Sequence, residues 1–216
     1  MTFMEKVLKK NTPIWNECAA TPFVREMRAG TLPMEKFKLY VIQDSIYLKH
    51  YARIYGKAIY HAAALREIQL YYSALGFVTD TESAVRLKYL TRFGMTDEDI
   101  ERVSPLAENQ NYIDFMMGVA AQGNACEILM AVLPCMLSYS YIFRKIAAEP
   151  GTPDSKYLDF IEDYAEDGYA ESCEQWCGFA DKKCSVLTRK EQDRVSRIFE
   201  KASYLELDFW KMAYGG

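Results

Sequence analysis

Apolar residues along this chain recur at every third and fourth position, and few windows alternate apolar with polar residues, so the pattern predicts helices throughout. From Met34 to about His61, a single stripe collects Phe37, Tyr40, Val41, Leu48, Tyr51, Tyr55, Ala58 and Ile59. It follows a Gly-Thr-Leu-Pro entrance suited to a helix start. Further helices are predicted through Arg66 to about Gly76 and from Thr81 to Phe93, where Gly94 ends the run. TDEDIERV opens another with a threonine cap and early acids. Beyond Asn109, a helix through Tyr112, Phe115, Met116 and Val119 ends at Gly123, and a long one runs from about Asn124 to Ala148. The last three are placed near Ser155 to Tyr164, Glu166 to Phe179 and Arg189 to Ala213. EPGTPDS is the clearest linker, and no repeat of fixed period appears. The fold class is therefore all-α, with one helical domain over residues 1–216 as the economical assignment.

Composition narrows the function classes. At 216 residues and 50% hydrophobic, the chain is long enough for a well-filled core. Its net charge of −4 is spread in mixed sign, which leaves no basic stripe for a phosphate backbone, so no nucleic-acid partner is expected. The stretch MTFMEKVLKKNTPIW interrupts with charge, Asn and Pro where a secretory segment needs an apolar run. No run approaches the roughly 18 uninterrupted apolar residues of a membrane span, and the expectation is a soluble, cytoplasmic protein. Six cysteines without a secretory segment read as free thiols. Cys173 and Cys177 stand at i and i+4 with Cys184 nearby, yet no further ligand stands at zinc-site spacing, so a structural role as small hydrophobes is the favoured reading.

Three departures from the apolar stripes carry candidate chemistry. Asp44 sits inside its stripe, three residues after Val41 and four before Leu48, with Tyr47 nearly one turn on. Glu206 sits on the face marked by Val195, Phe199, Ala202, Phe209 and Ala213. A carboxylate turned inward is costly without partners, so each is either a satisfied core acid, bonded to a helix end or a tyrosine hydroxyl, or part of a site. Desolvation of Glu206 would raise its pKa, as a proton donor near neutral pH requires. The third departure is Cys135, behind Pro134 in LPCMLSYSY. Proline removes one helical hydrogen bond and predicts a bend there, while Tyr139 at i+4 adds an aromatic wall and a hydroxyl. From these residues alone, Cys135 is either an inert buried thiol or a nucleophile.

The combination resembles the TenA-type thiaminase II proteins, also called aminopyrimidine aminohydrolases, which have the haem-oxygenase-like helical fold. The likeness runs through TPFVREMRAGTLPMEKFKLYVIQDSIYLKHYAR, NYIDFM, EILMAVLPCMLSYSYI, FIEDYAEDGYAE and ASYLELDFWKMA. The resemblance implies that Cys135 is the nucleophile, Glu206 the proton donor, and Asp44 the residue gripping the ring nitrogen and exocyclic amine of a pyrimidine. It implies that Tyr47 hydrogen-bonds the cysteine and that Tyr112, Tyr139 and Tyr164 line and stack the flat ring. It also implies a homotetramer. The family commonly places an aromatic residue near Leu137, and this chain does not.

The implied reaction suits these residue types. An electron-poor pyrimidine accepts a thiolate at a ring carbon once an acid protonates the ring nitrogen, and the reduced ring expels a group from its methylene substituent. Water replaces that group, and loss of the cysteine restores aromaticity, with no metal or organic cofactor required. The competing class is a non-catalytic or regulatory ligand-binding protein on the same fold. A di-metal oxidase would need Glu-x-x-His pairs, and neither His50 nor His61 has a Glu three residues before it.

Overall fold

The computed structural model describes residues 1–76 and 82–215. In chain order its helices are α1 (Phe3–Ala19), α2 (Pro22–Arg28), α3 (Met34–His61), α4 (Leu65–Gly76), α5 (Glu82–Arg92), α6 (Asp97–Glu101), α7 (Ala107–Gln122) and α8 (Ala125–Ala147). After a single 3-10 turn at Thr152–Asp154 come α9 (Leu158–Ala165), α10 (Asp167–Cys184) and α11 (Arg189–Tyr214). No strand occurs among the described residues, in keeping with the all-α expectation. The helix expected from Thr81 begins in the description at Glu82, because Thr81 lies outside the described residues.

Most boundaries agree with the periodicity, and the differences have local causes. Two helices, α1 and α2, precede the first expected one. In α1 the polar run Asn11-Thr12 and the internal Pro13 interrupt the apolar pattern. The helix passes through them because both side chains bond back to the preceding turn, Asn11 Nδ2 to the Val7 carbonyl at 2.8 Å and Thr12 Oγ1 to the Leu8 carbonyl at 2.8 Å. α10 continues past Phe179 to Cys184 because Ala180 and Cys184, both fully buried, extend its inner face by i+4 steps. α8 runs unbroken through Pro134. It is also apolar enough to cross a membrane, with a mean hydropathy of 1.6, but 78% of that segment is buried inside the protein, as in a core helix.

Packing divides the chain into two compact units, residues Met1–Leu32 with Leu129–Gly216, and residues Pro33–Ile128. In the first, α1 packs on α11, α2 and α10, while α11 also meets α2 and α10 meets α9. Its core is strongly aromatic, with Trp15, Phe23, Phe143, Tyr157, Phe199 and Trp210 all nearly or fully buried. Gly30 closes the α2 loop in the left-handed region at φ 68°, and a Cβ there would lie 3.2 Å from Ser155 Cα, so both conformation and space favour glycine. In the second unit α3 is the central helix, in contact with α4, α5, α6 and α7. A tyrosine ladder runs along it, Tyr47 to Tyr51 at 5.4 Å and Tyr51 to Tyr55 at 4.9 Å between ring centroids.

Candidate functional site

In the unit built on α3, the helix buries Asp44 and Tyr47 at 8% and 3% exposure, so the inward orientation read from the stripe is the one adopted. Tyr112 on α7, at 1% exposure, brings its ring to 4.9 Å from that of Tyr47. The Tyr47 hydroxyl donates to Met116 Sδ at 3.5 Å, one turn further along α7. Tyr47 and Tyr112 thus belong to one α3–α7 packing layer, with Asp44 buried three residues before Tyr47 on α3.

In the other unit, α8 carries Cys135 and Tyr139, α9 carries Tyr164, and α11 carries Glu206. Cys135 is half-buried as a residue, unlike the fully buried Cys18 and Cys184. Tyr139 and Tyr164 are each 4% exposed and meet edge to face at 5.1 Å. Glu206 is 2% exposed, again as the periodicity required. Leu137, the position lacking an aromatic residue, is buried.

The carboxylate has a neighbour that the sequence reading did not single out. Burial pushes the Cys18 thiol well above the ordinary cysteine value, and the negative charge of Glu206 adds to that rise, so the two groups share one electrostatic environment. Their helices are held together one turn away, where Trp15 Nε1 donates to Ser203 Oγ at 3.3 Å. The signal was present, since Ile14, Trp15 and Cys18 follow the helical repeat at the buried face of α1. Its target on α11 was not, because periodicity names the buried face but not what it meets.

Cys173 lies on α10 and donates weakly to the Met136 carbonyl, S to O 3.8 Å, which also accepts from the Tyr169 hydroxyl at 3.2 Å. Burial raises the Cys173 thiol to about 12 and the Cys177 thiol to about 11, so both remain protonated near neutral pH. None of the six cysteines is joined in a disulfide. His50 is half-buried and His61 exposed, and among the described residues no three His, Cys, Asp or Glu side chains gather as a ligand set.

The family model described as TENA/THI-4/PQQC matches residues 8–216. The chain belongs to the TENA/THI-4/PQQC family. Among TENA/THI-4/PQQC relatives, a protein named aminopyrimidine aminohydrolase from Halalkalibacterium halodurans is 31% identical over 215 residues, spanning 99% of this chain and 96% of the relative. A solved structure described as a TenA homologue from P. horikoshii OT3 superposes with a TM-score of 0.88 at 29% identity, covering 99% of both chains. A domain from Shewanella denitrificans OS217, described as having a heme oxygenase-like fold, gives a TM-score of 0.75 at 18% identity, over 98% of this chain and 91% of that one. The TENA/THI-4/PQQC chain therefore has that helical fold.

Proposed function

We propose that this protein is a thiaminase II, an aminopyrimidine aminohydrolase that cleaves the methylene C–N bond of aminomethylpyrimidine, or of thiamin, to give hydroxymethylpyrimidine for thiamin salvage. The observation that carries this reading is the likeness, over nearly all of both chains, to a relative that bears the aminohydrolase name.

In this reading Asp44 accepts from the exocyclic amine and grips the ring nitrogen side of the pyrimidine. Tyr112, Tyr139 and Tyr164 hold the flat ring by stacking and edge contacts. The Cys135 thiolate adds to an electron-poor ring carbon, forming a C–S bond, while the ring nitrogen takes up a proton and the ring loses its aromaticity. Tyr47 favours the thiolate by turning its O–H from Met116 Sδ toward the Cys135 sulfur. Glu206 donates a proton to the methylene substituent as it departs as an amine; when thiamin is the substrate, the thiazolium nitrogen is already quaternary and leaves as the neutral thiazole without one. Water then adds to the exocyclic methylene and loses a proton, the ring nitrogen releases the proton it took up as the C–S bond breaks, and the ring is aromatic again with a hydroxymethyl group. The net change is hydrolysis, with no oxidant or reductant consumed. The protein is proposed to act in the cytoplasm as a homotetramer, each chain a single TenA-like domain over residues 1–216.

The test is direct. Purified protein is incubated separately with aminomethylpyrimidine and with thiamin, and hydroxymethylpyrimidine is quantified. Turnover of either supports the reading, and the faster one names the substrate. Saturable binding of the pyrimidine without product from either would replace the enzyme by a ligand-binding protein on the same fold.

A further inference from the structure

The helix beside Asp44 carries a second inward polar residue that the reaction does not use. Gln43 on α3 and Asn109 on α7 are 1% and 0% exposed, a buried pair of neutral amides. Asn109 Nδ2 donates to the backbone carbonyl of Gln43 at 2.8 Å and to its side-chain Oε1 at 2.9 Å. The same Oε1 accepts from the backbone N–H of Leu106 at 2.9 Å. Leu106 is the N-cap of α7 and has no side chain able to cap, while Asn109 occupies the third helical position. In an ordinary capping box, the residue at that third position reaches back to the N-cap amide. Here Asn109 reaches across to α3 instead, and Gln43 returns the bond to the N-cap, so the start of α7 is capped by another helix.

Two details place this clamp where the substrate layer begins. In an α-helix the carbonyl of residue 43 is the acceptor for the amide of residue 47. Asn109 therefore grips the turn of α3 that carries both Asp44 and Tyr47. Along α7, Asn109, Tyr112 and Met116 succeed one another at helical spacing, and Tyr112 and Met116 meet the ring and hydroxyl of Tyr47. The amide contact and the aromatic contact are thus adjacent steps of one interhelix register. Stability alone is a poor reason for the pair: Asn109 Oδ1 is buried with no hydrogen-bond partner among the described residues, a cost that two apolar residues of similar shape would avoid.

We propose that Gln43 and Asn109 are positioning residues that set the register of α3 against α7, and so hold Asp44 and Tyr112 at the spacing that receives the pyrimidine. This rests on the proposed function for its ligand. The test therefore pairs kinetics with a readout that needs no turnover, the ¹⁹F resonance of Tyr112 in protein labelled with 3-fluorotyrosine, assigned by Tyr112→Phe. In Gln43→Leu/Asn109→Leu the apolar pair keeps the core filled, so the protein should still melt cooperatively. The Tyr112 resonance should nevertheless move, and KM for aminomethylpyrimidine should rise roughly 10–100-fold, more than kcat falls, because a displaced ring-holding layer loses orientation. Gln43→Glu keeps both acceptor functions and should retain the wild-type resonance and KM. A folded double-leucine variant with wild-type resonance and KM overturns the proposal, as does failure of that variant to fold, which would make the pair a folding element. If wild type itself turns over no pyrimidine, the functional reading falls while the Tyr112 resonance still decides the register.

Discussion

Tyr139 on α8 and Trp210 on α11 pack at 5.2 Å between ring centroids with planes 34° apart. Tyr139 stands four residues after Cys135, and Trp210 four after Glu206, so one turn beyond the proposed nucleophile meets one turn beyond the proposed proton donor. Trp210 is fully buried and also packs against Phe23 at 5.6 Å and Phe143 at 6.1 Å. Trp210→Ala should cost about 3–5 kcal/mol of stability, the range for emptying a large aromatic site. Assayed well below its melting temperature, the variant should also lose kcat, since α8 and α11 lose a contact adjacent to both reacting groups. Retention of wild-type kcat in a destabilised protein would confine Trp210 to the core.

Thiol mapping separates the cysteines. The half-buried Cys135 and Cys126 should react with iodoacetamide ahead of Cys18, Cys173, Cys177 and Cys184, because burial holds Cys18, Cys173 and Cys177 in the thiol form and Cys184 is sealed from solvent. Cys135→Ser should abolish turnover and leave the melting temperature nearly unchanged, whereas Cys126→Ser should do neither harm. Peptide mass mapping after a short alkylation pulse reads the first result, and product analysis the second. Full activity of Cys135→Ser would remove the nucleophile.

Asp44→Ala should weaken binding of the pyrimidine by about 2–5 kcal/mol, the scale for truncating one partner of a buried charged hydrogen bond. Calorimetry on the Cys135→Ser background, which binds without turning over, measures it. Unchanged affinity there would leave Asp44 a core acid.

Glu206→Gln preserves shape and still donates a hydrogen bond but cannot transfer a proton, so kcat should fall by about 10²–10⁴ with ring affinity nearly constant. A proton donor works only in its protonated form. The wild-type rate should therefore decline on the alkaline side as Glu206 ionises, and the variant's pH–rate profile should lack that limb. A variant with wild-type kcat and the same limb would send the search for the donor elsewhere.

Tyr157 predicts how stability responds to base. It is fully buried, its hydroxyl donates to the Leu32 carbonyl at 2.7 Å, and burial pushes its phenol up to about 12 from an ordinary 10.0. Between those values the unfolded chain has lost a proton that the folded chain keeps, so stability contributed by Tyr157 is whole below about pH 10 and is lost as pH rises toward about 12. Urea midpoints across that range should fall for wild type and fall less for Tyr157→Phe. Equal slopes would assign the alkaline loss to other groups.

The hydrophobic pattern alone determined the helical class of the protein and the inward turn of two candidate acids. The bounds of α3 follow its stripe from Met34 to His61, and the same repeat turned Asp44 and Glu206 inward before any neighbour was known. This works because a helix of fixed pitch converts residue spacing directly into a buried face. The resemblance supplied the residue roles, which stay proposals, and the family it named is the one to which the chain belongs. Tertiary structure decided what lies opposite each buried face. Only the fold sets Cys18 of α1 beside Glu206, nearly the whole chain apart, and only the fold lets Gln43 of α3 cap the start of α7. The polar run before Pro13 hid α1 for a related reason: its side chains bond to the helix's own carbonyls, while the packing of α1 against α11 supplies what the local sequence lacks. Spacing encodes orientation along one helix, but partners are chosen by the packing of segments distant in sequence, and no single-helix period records that choice.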